Sequence, residues 1–254
     1  MYSFNEIRKV QLRLLEMAIA IRDVLEKHEV AHMISYGTLL GAVRHQGFIP
    51  WDDDFDYIIM SDQYDNVVDC LRKELPSGIF IEDGKSEPLY FHGWAHAKDM
   101  GTEAECVSFP QDNLYAHHGV CVDLYRAFKI KKKHYKAKKL KEHIEYLQRK
   151  FTKGFLSETE YGEQIKPLTI ELMDEESRLA FINPNMENDM IGFGSVFEFM
   201  SEDDVLPLRK YGFEGTYLWG PKNADVVLRN SYGDYMQLPP EEKRKPHYSK
   251  VLFK

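Results

Sequence analysis

The stretch GTLLGAVRHQGFIPWDDDFDYIIM, residues 37–60, decides how the rest of the chain is read. Four aspartates crowd its second half, and the apolar run Tyr57-Ile58-Ile59-Met60 follows directly. A strand over Phe55–Met60 is predicted, apolar enough to be buried on both faces. Asp54 and Asp56 then lie two apart at the mouth of that strand with their side chains on one face; Asp52 shares their parity and Asp53 points away. Carboxylates gathered on one face repel, and a divalent cation resolves the conflict. Oxygen ligands of this kind suit Mg²⁺ or Mn²⁺. A solvated acidic loop is the rival reading, but the run is wedged between Ile49-Pro50-Trp51 and a core strand. A calcium loop starting at Asp52 requires Gly at its sixth position and Glu at its twelfth. Those positions hold Tyr57 and Gln63, so that reading fails.

Upstream, a predicted strand over Val30–Tyr36 closes on Gly37-Thr38, and a short helical turn through Leu39–Arg44 follows. Gly37 permits close backbone approach, and the Thr38 hydroxyl with free N–H groups at the turn can bind a phosphate. By itself a Gly-Thr pair is only a turn. Ahead of a paired-Asp strand it resembles the nucleotidyltransferase arrangement, which also expects a third carboxylate from a later strand. Asp123, the one acid of the apolar run GVCVDLY, is the candidate, with local hydrogen bonding as its plainer role. Arg44 and His45 lie between turn and strand; Arg44 suits bidentate phosphate binding or pairs with the acidic loop. Lys98 either points into the site as a phosphate ligand or is an exposed strand-end cation. His117, His118 and His247 lack zinc spacing and read as structural or pocket-edge residues.

Elsewhere, Ser3 and Glu6 form a capping box. Ile7, Val10, Leu14, Ala18, Ile21 and Leu25 recur at helical spacing, which predicts a helix over 4–28. A helix capped by Ser61 or Asp62 runs to Leu75, and strands follow at 79–82, 90–98, 102–109 and 119–125. A basic helix over 131 to about 151 and a second near 157–181 make a helical subdomain at about 128–195. The last sixty or so residues return to strands, turns and a helix at 222–231. One α/β (α+β) domain over 1–254 is expected, a mixed sheet flanked by helices with a helical insertion.

The net charge of −8 argues against a general affinity for nucleic acid. Residues 131–153 are the exception, with ten Lys/Arg against two Glu. They form either a solvated face or a dock for an anionic acceptor or an anionic membrane surface. No run approaches the ~18 to 20 apolar residues of a membrane span. The three cysteines, Cys70, Cys106 and Cys121, are odd in number and lack metal spacing, so a cytoplasmic setting is expected.

The block GTLLGAVRHQGFIPWDDDFD closely resembles the hallmark block of the LicD family of phosphocholine transferases, related to the fukutin-type transferases that move pentitol phosphates. AKDMGTEAECVSF, HHGVCVDLYRAF and the tail FEGTYLWGPKNADVVLRNSYGDYMQLPPEEKRKPHY are similar to later parts of that family. The resemblance implies a nucleotidyltransferase-like fold and a CDP-activated donor, typically CDP-choline. Phosphocholine would pass to a hydroxyl of a glycan or lipid-linked glycan as CMP leaves. Carried over by motif, Asp54 and Asp56 are metal ligands, with Asp52 beside them and Asp123 as third acid. The family pattern usually has a small residue soon after its last Asp, where this chain has Tyr57; that side chain is expected to narrow the site or touch the donor. A nucleotidyltransferase consuming a nucleoside triphosphate and a degenerate binding module are the alternatives.

Overall fold

The computed structural model describes residues 4–131, 134–179, 189–193 and 198–254. Helix α1 (Phe4–Lys27) follows the apolar period, and Val10, Leu14, Met17, Ala18, Ile21 and Leu25 are all buried. The cap expected at Ser3 lies outside the described residues. Strand β1 (His32–Ile34) is shorter than predicted. Glu29 turns the backbone with a φ of 54°, and an extended Ser35 caps α2 (Tyr36–His45), so ten residues are helical instead of a short turn. Strand β2 (Asp56–Ile59) is buried along its whole length. Helix α3 (Tyr64–Glu74) begins after a turn in which the Ser61 hydroxyl accepts from the Gln63 N–H, which delays the predicted start.

Strands β3 (Ile79–Glu82), β4 (Ala95–Asp99), β5 (Thr102–Cys106) and β6 (Cys121–Lys131) follow. The segment before β4 is a loop, not the predicted strand, because Tyr90 and Phe91 turn aside to pack with Tyr115 in a small second core. Then come α4 (Tyr135–Thr152), α5 (Glu158–Leu179), β7 (Asp189–Phe193), β8 (Glu198–Ser201), a single turn α6 (Glu202–Val205), β9 (Arg209–Phe213), β10 (Thr216–Gly220), α7 (Ala224–Tyr232) and β11 (Tyr248–Phe253).

The architecture is mixed α/β. The main sheet has the order β1-β2-β6-β4-β3, and β7 and β8 extend from the far half of β6. Among the described strands β2 and β6 form the parallel pair; the other pairings are antiparallel. Parallel pairing needs a crossover, and here α3, β3, β4 and β5 intervene. Helices α4 and α5 form a hairpin between β6 and β7, two strands that pair with each other. Two ribbons, β9–β10 and β5–β11, flank the sheet. No helix among the described residues is long and apolar enough to cross a membrane.

Strand alternation places Asp56 and Tyr57 on opposite faces. Tyr57 is fully buried beneath α1, and its hydroxyl donates to the Ala18 carbonyl at 3.2 Å. It therefore packs the core and neither narrows the site nor meets a donor. The loop between α2 and β2 is held from α1: buried Gln11 donates to the carbonyls of Ile49 (3.1 Å) and Asp52 (2.8 Å). Arg8 grips Glu214 with two hydrogen bonds of 2.9 and 2.6 Å, and Glu214 accepts from the Phe48 N–H.

Candidate active site

Residues directly opposite one another in a sheet share a face. Across the main sheet the register sets Asp56 beside Asp123, Asp123 beside His96, and His96 beside Glu82. One polar row thus crosses β2, β6, β4 and β3. His96 Nε2 lies 3.0 Å from Asp123 Oδ1, and its Nδ1 lies 3.6 Å from Glu82 Oε2. Trp94 Nε1–H donates to Asp123 Oδ1 at 3.1 Å, and the Tyr125 hydroxyl donates to Oδ2 at 3.4 Å. Lys98, two residues along β4, puts its ammonium 3.0 Å from Glu82 and donates to the His117 carbonyl at 2.8 Å.

The loop before β2 adds the other acids. A Cβ at position 37 would sit 2.6 Å from Asp52 Oδ2 and 3.9 Å from Asp54 Oδ1, so the missing side chain of Gly37 makes room for these carboxylates. Thr38 is buried, and its Oγ1 accepts the Asp56 N–H at 2.9 Å, tying α2 to the head of β2. His247, from the tail, stands over the loop: Nε2 is 3.4 Å from Asp54 Oδ2, and Nδ1 is 3.7 Å from Asp52 Oδ1. Asp53 points away and is fully buried, accepting from the N–H groups of His247 (2.6 Å) and Tyr248 (3.3 Å). A cavity of about 120 Å³ opens here, lined among others by Asp54, His96, Lys98, Asp112, Asp123 and His247.

Burial, then the charge of Asp54, pushes the Asp52 carboxyl well above the usual range, and the same two causes do so for Asp56. Asp54 is raised by burial, against the pull of His247. Burial would raise Asp123 too, but the His96 imidazole and the Trp94 N–H overcome it and hold this carboxyl below its ordinary value. In return, burial works against a charged His96, and Asp123 lifts it to about 9. His247 is raised to about 11, chiefly by Asp54.

The structure brings Asp52, Asp54, Asp56 and Asp123 together, with Gly37 and Thr38 directly beneath them. Lys98 lines the same cavity, buried and not exposed, but its charge is engaged by Glu82. Arg44 and His45 are not brought to the site. At the end of α2, Arg44 donates to the Tyr235 carbonyl (2.6 Å) and to His45 Nε2 (2.9 Å), and His45 packs edge-on against Trp51. Sequence reasoning left out Trp94, His96, Glu82 and Tyr125. Only strand register reveals them, although the alternation Trp94–His96–Lys98 signals one polar strand face.

This donor set fits a hard divalent cation. Acids that repel one another converge, and Asp54 Oδ1 is buried without a hydrogen-bond partner among the described residues. Comparison with known proteins bears on the class. Residues 29–161 match the family model described as LicD/FKTN/FKRP, nucleotidyltransferase domain, and the chain belongs to this family. In particular, it is similar to the lipopolysaccharide cholinephosphotransferase LicD of Haemophilus influenzae, with 25% identity in an alignment covering 97% of each chain. It also shares 48% identity over 52 residues with an uncharacterised protein of Rickettsia prowazekii, covering 20% of each chain. A Rickettsia typhi protein matches at the same identity and length, covering 20% of this chain and 17% of the other.

Proposed function

We propose that this chain is a metal-dependent phosphotransferase that moves phosphocholine, or a similar phospho-alcohol, from a CDP-activated donor to a hydroxyl of a glycan or glycoconjugate, releasing CMP. The observation that carries the reading is the gathering of four acids from a loop and two parallel strands: Asp54 and Asp123 line one cavity, Asp56 lies opposite Asp123 in the sheet, and Asp52 lies beside Asp54. The Haemophilus relative, whose name gives choline phosphate and lipopolysaccharide, supports both the group and the acceptor class.

Asp52, Asp54, Asp56 and Asp123 would hold Mg²⁺ or Mn²⁺, which would supply neutralising charge for a diphosphate and for the leaving CMP. Thr38 fixes the backbone of Asp56, and Gly37 leaves Asp52 its space. Asp123 stays ionised beside His96 and takes the acceptor hydroxyl's proton as that oxygen bonds to phosphorus and the bond to CMP breaks. Tyr125, which lines the cavity beside Asp123 and packs against the buried Trp94 with ring centroids 4.9 Å apart, offers aromatic surface to a choline ammonium. A cytoplasmic setting belongs to the same reading, and the three free cysteines accord with it.

Incubation with CDP-choline, Mg²⁺ and a lipopolysaccharide-type glycan should release CMP and label the glycan. Chelation should stop the reaction, and Asp54→Asn or Asp123→Asn should slow it by at least about a hundredfold. Pyrophosphate release from a nucleoside triphosphate, with no CMP from CDP-choline, would replace this reading with a nucleotidyltransferase.

A further inference from the structure

The tail brings an imidazole, that of His247, to the acid loop before β2. Both oxygens of Asp53 are used to hold backbone, that of His247 and Tyr248. Tyr248 is itself buried. It opens β11 by pairing with Cys106 of β5, and its hydroxyl accepts the Cys121 N–H at 3.3 Å. The main chain at 247 is therefore fixed on both sides, and only the two side-chain torsions of the imidazole stay free. The ring they position faces Asp54 through Nε2 and Asp52 and Asp53 through Nδ1.

The 3.4 Å between His247 Nε2 and Asp54 Oδ2 is longer than a hydrogen bond of charged partners, about 2.7–2.9 Å, while Asp52 Oδ1 lies 3.7 Å from the other ring nitrogen. Two ligands bonded to one cation at about 2.1 Å stand roughly 3 to 3.5 Å apart, whether octahedral or tetrahedral. One donor atom from each of Asp52, Asp54 and His247 falls within a cluster no more than 4.8 Å across. Nδ1 is buried without a hydrogen-bond partner among the described residues, with Asp53 Oδ1 3.4 Å away. A carboxylate behind an imidazole whose other nitrogen faces the metal is the usual second support of a histidine ligand.

From this geometry we infer that His247 is a direct ligand, through Nε2, of the cation held by Asp52 and Asp54, with Asp53 orienting the ring. The inference rests on the metal-dependent reading above. An imidazole in the set shifts preference from Mg²⁺ toward Mn²⁺ and later divalent ions.

The test is electron spin-echo envelope modulation of the full chain loaded with Mn²⁺ and no substrate. The unaltered protein should show coupling to a directly bound imidazole ¹⁴N, replaced by ¹⁵N coupling when histidine alone is labelled. His247→Gln should lose the coupling and bind Mn²⁺ at least about tenfold more weakly, whereas His96→Gln should keep it. If His247→Gln does not fold, coupling that persists in both His96→Gln and His118→Gln, the other two histidines lining the cavity, still singles out His247. Bound Mn²⁺ without nitrogen coupling overturns the role of His247 and leaves the carboxylate site standing. Coupling that survives in His247→Gln, or is lost in His96→Gln, overturns it as well. A chain that binds no Mn²⁺ at all overturns both the inference and the metal-dependent reading.

Discussion

At position 37 a Cβ would lie 2.6 Å from Asp52 Oδ2, well inside contact distance. The atom it meets is the end of a movable side chain, so Gly37→Ala displaces the carboxylate more than it disturbs the fold. The melting free energy should change by no more than about 1 kcal/mol, while CMP release falls about tenfold or more; equal loss of both would contradict the assignment. His92 tests a different property. Its side chain is buried against Asp112 at 2.8 Å, and burial lowers its pKa from the ordinary 6.5. The folded chain thus refuses a proton that the unfolded chain accepts below about pH 6.5. Stability from this group is present above that pH and is lost as pH falls toward the lowered value, by up to about 1.4 kcal/mol per unit. Urea unfolding at pH 7 and pH 5.5 should show this decline, and His92→Gln should flatten it.

At the scale of elements, the legible parts of the sequence were those in which chemistry and period are local. The face of α1, the buried strand β2 and the parity of Asp52, Asp54 and Asp56 each follow from one continuous stretch of chain. Asp123 stood out because an acid in an apolar strand must have partners. What could not be read is whatever depends on register between distant strands: His96 and Glu82 join the row only because β4 lies between β6 and β3. Arg44 and His45 were near the acids in sequence, but the full length of α2 carries them to the 235 turn. The basic segment shows the same limit. Lys136 pairs with Glu171 and Lys141 with Glu176, so part of the charge of α4 is spent within the hairpin. A membrane dock would rest on exposed Lys139 and on Lys150, which is half-buried with its ammonium over the Phe91 and Tyr146 rings. Salt-sensitive binding to anionic vesicles should then be weak and should vanish in the Lys139→Glu/Lys150→Glu double variant; unchanged, salt-independent binding would remove the proposal.

Over the whole molecule, the site is assembled from segments that the chain visits at widely separated times. Asp53 and the backbone of His247 that it clamps stand 194 positions apart. At about 5–20 residues per second of synthesis, roughly 10 to 40 seconds separate the two on the ribosome. During that interval the emerging chain carries its aspartates without the imidazole that faces them and without the ribbon partner of β5. A chain cut short before residue 247 therefore lacks both N–H groups that hold the Asp53 carboxylate and the strand that pairs with β5, so the acid loop is the last part of the fold to be locked in place.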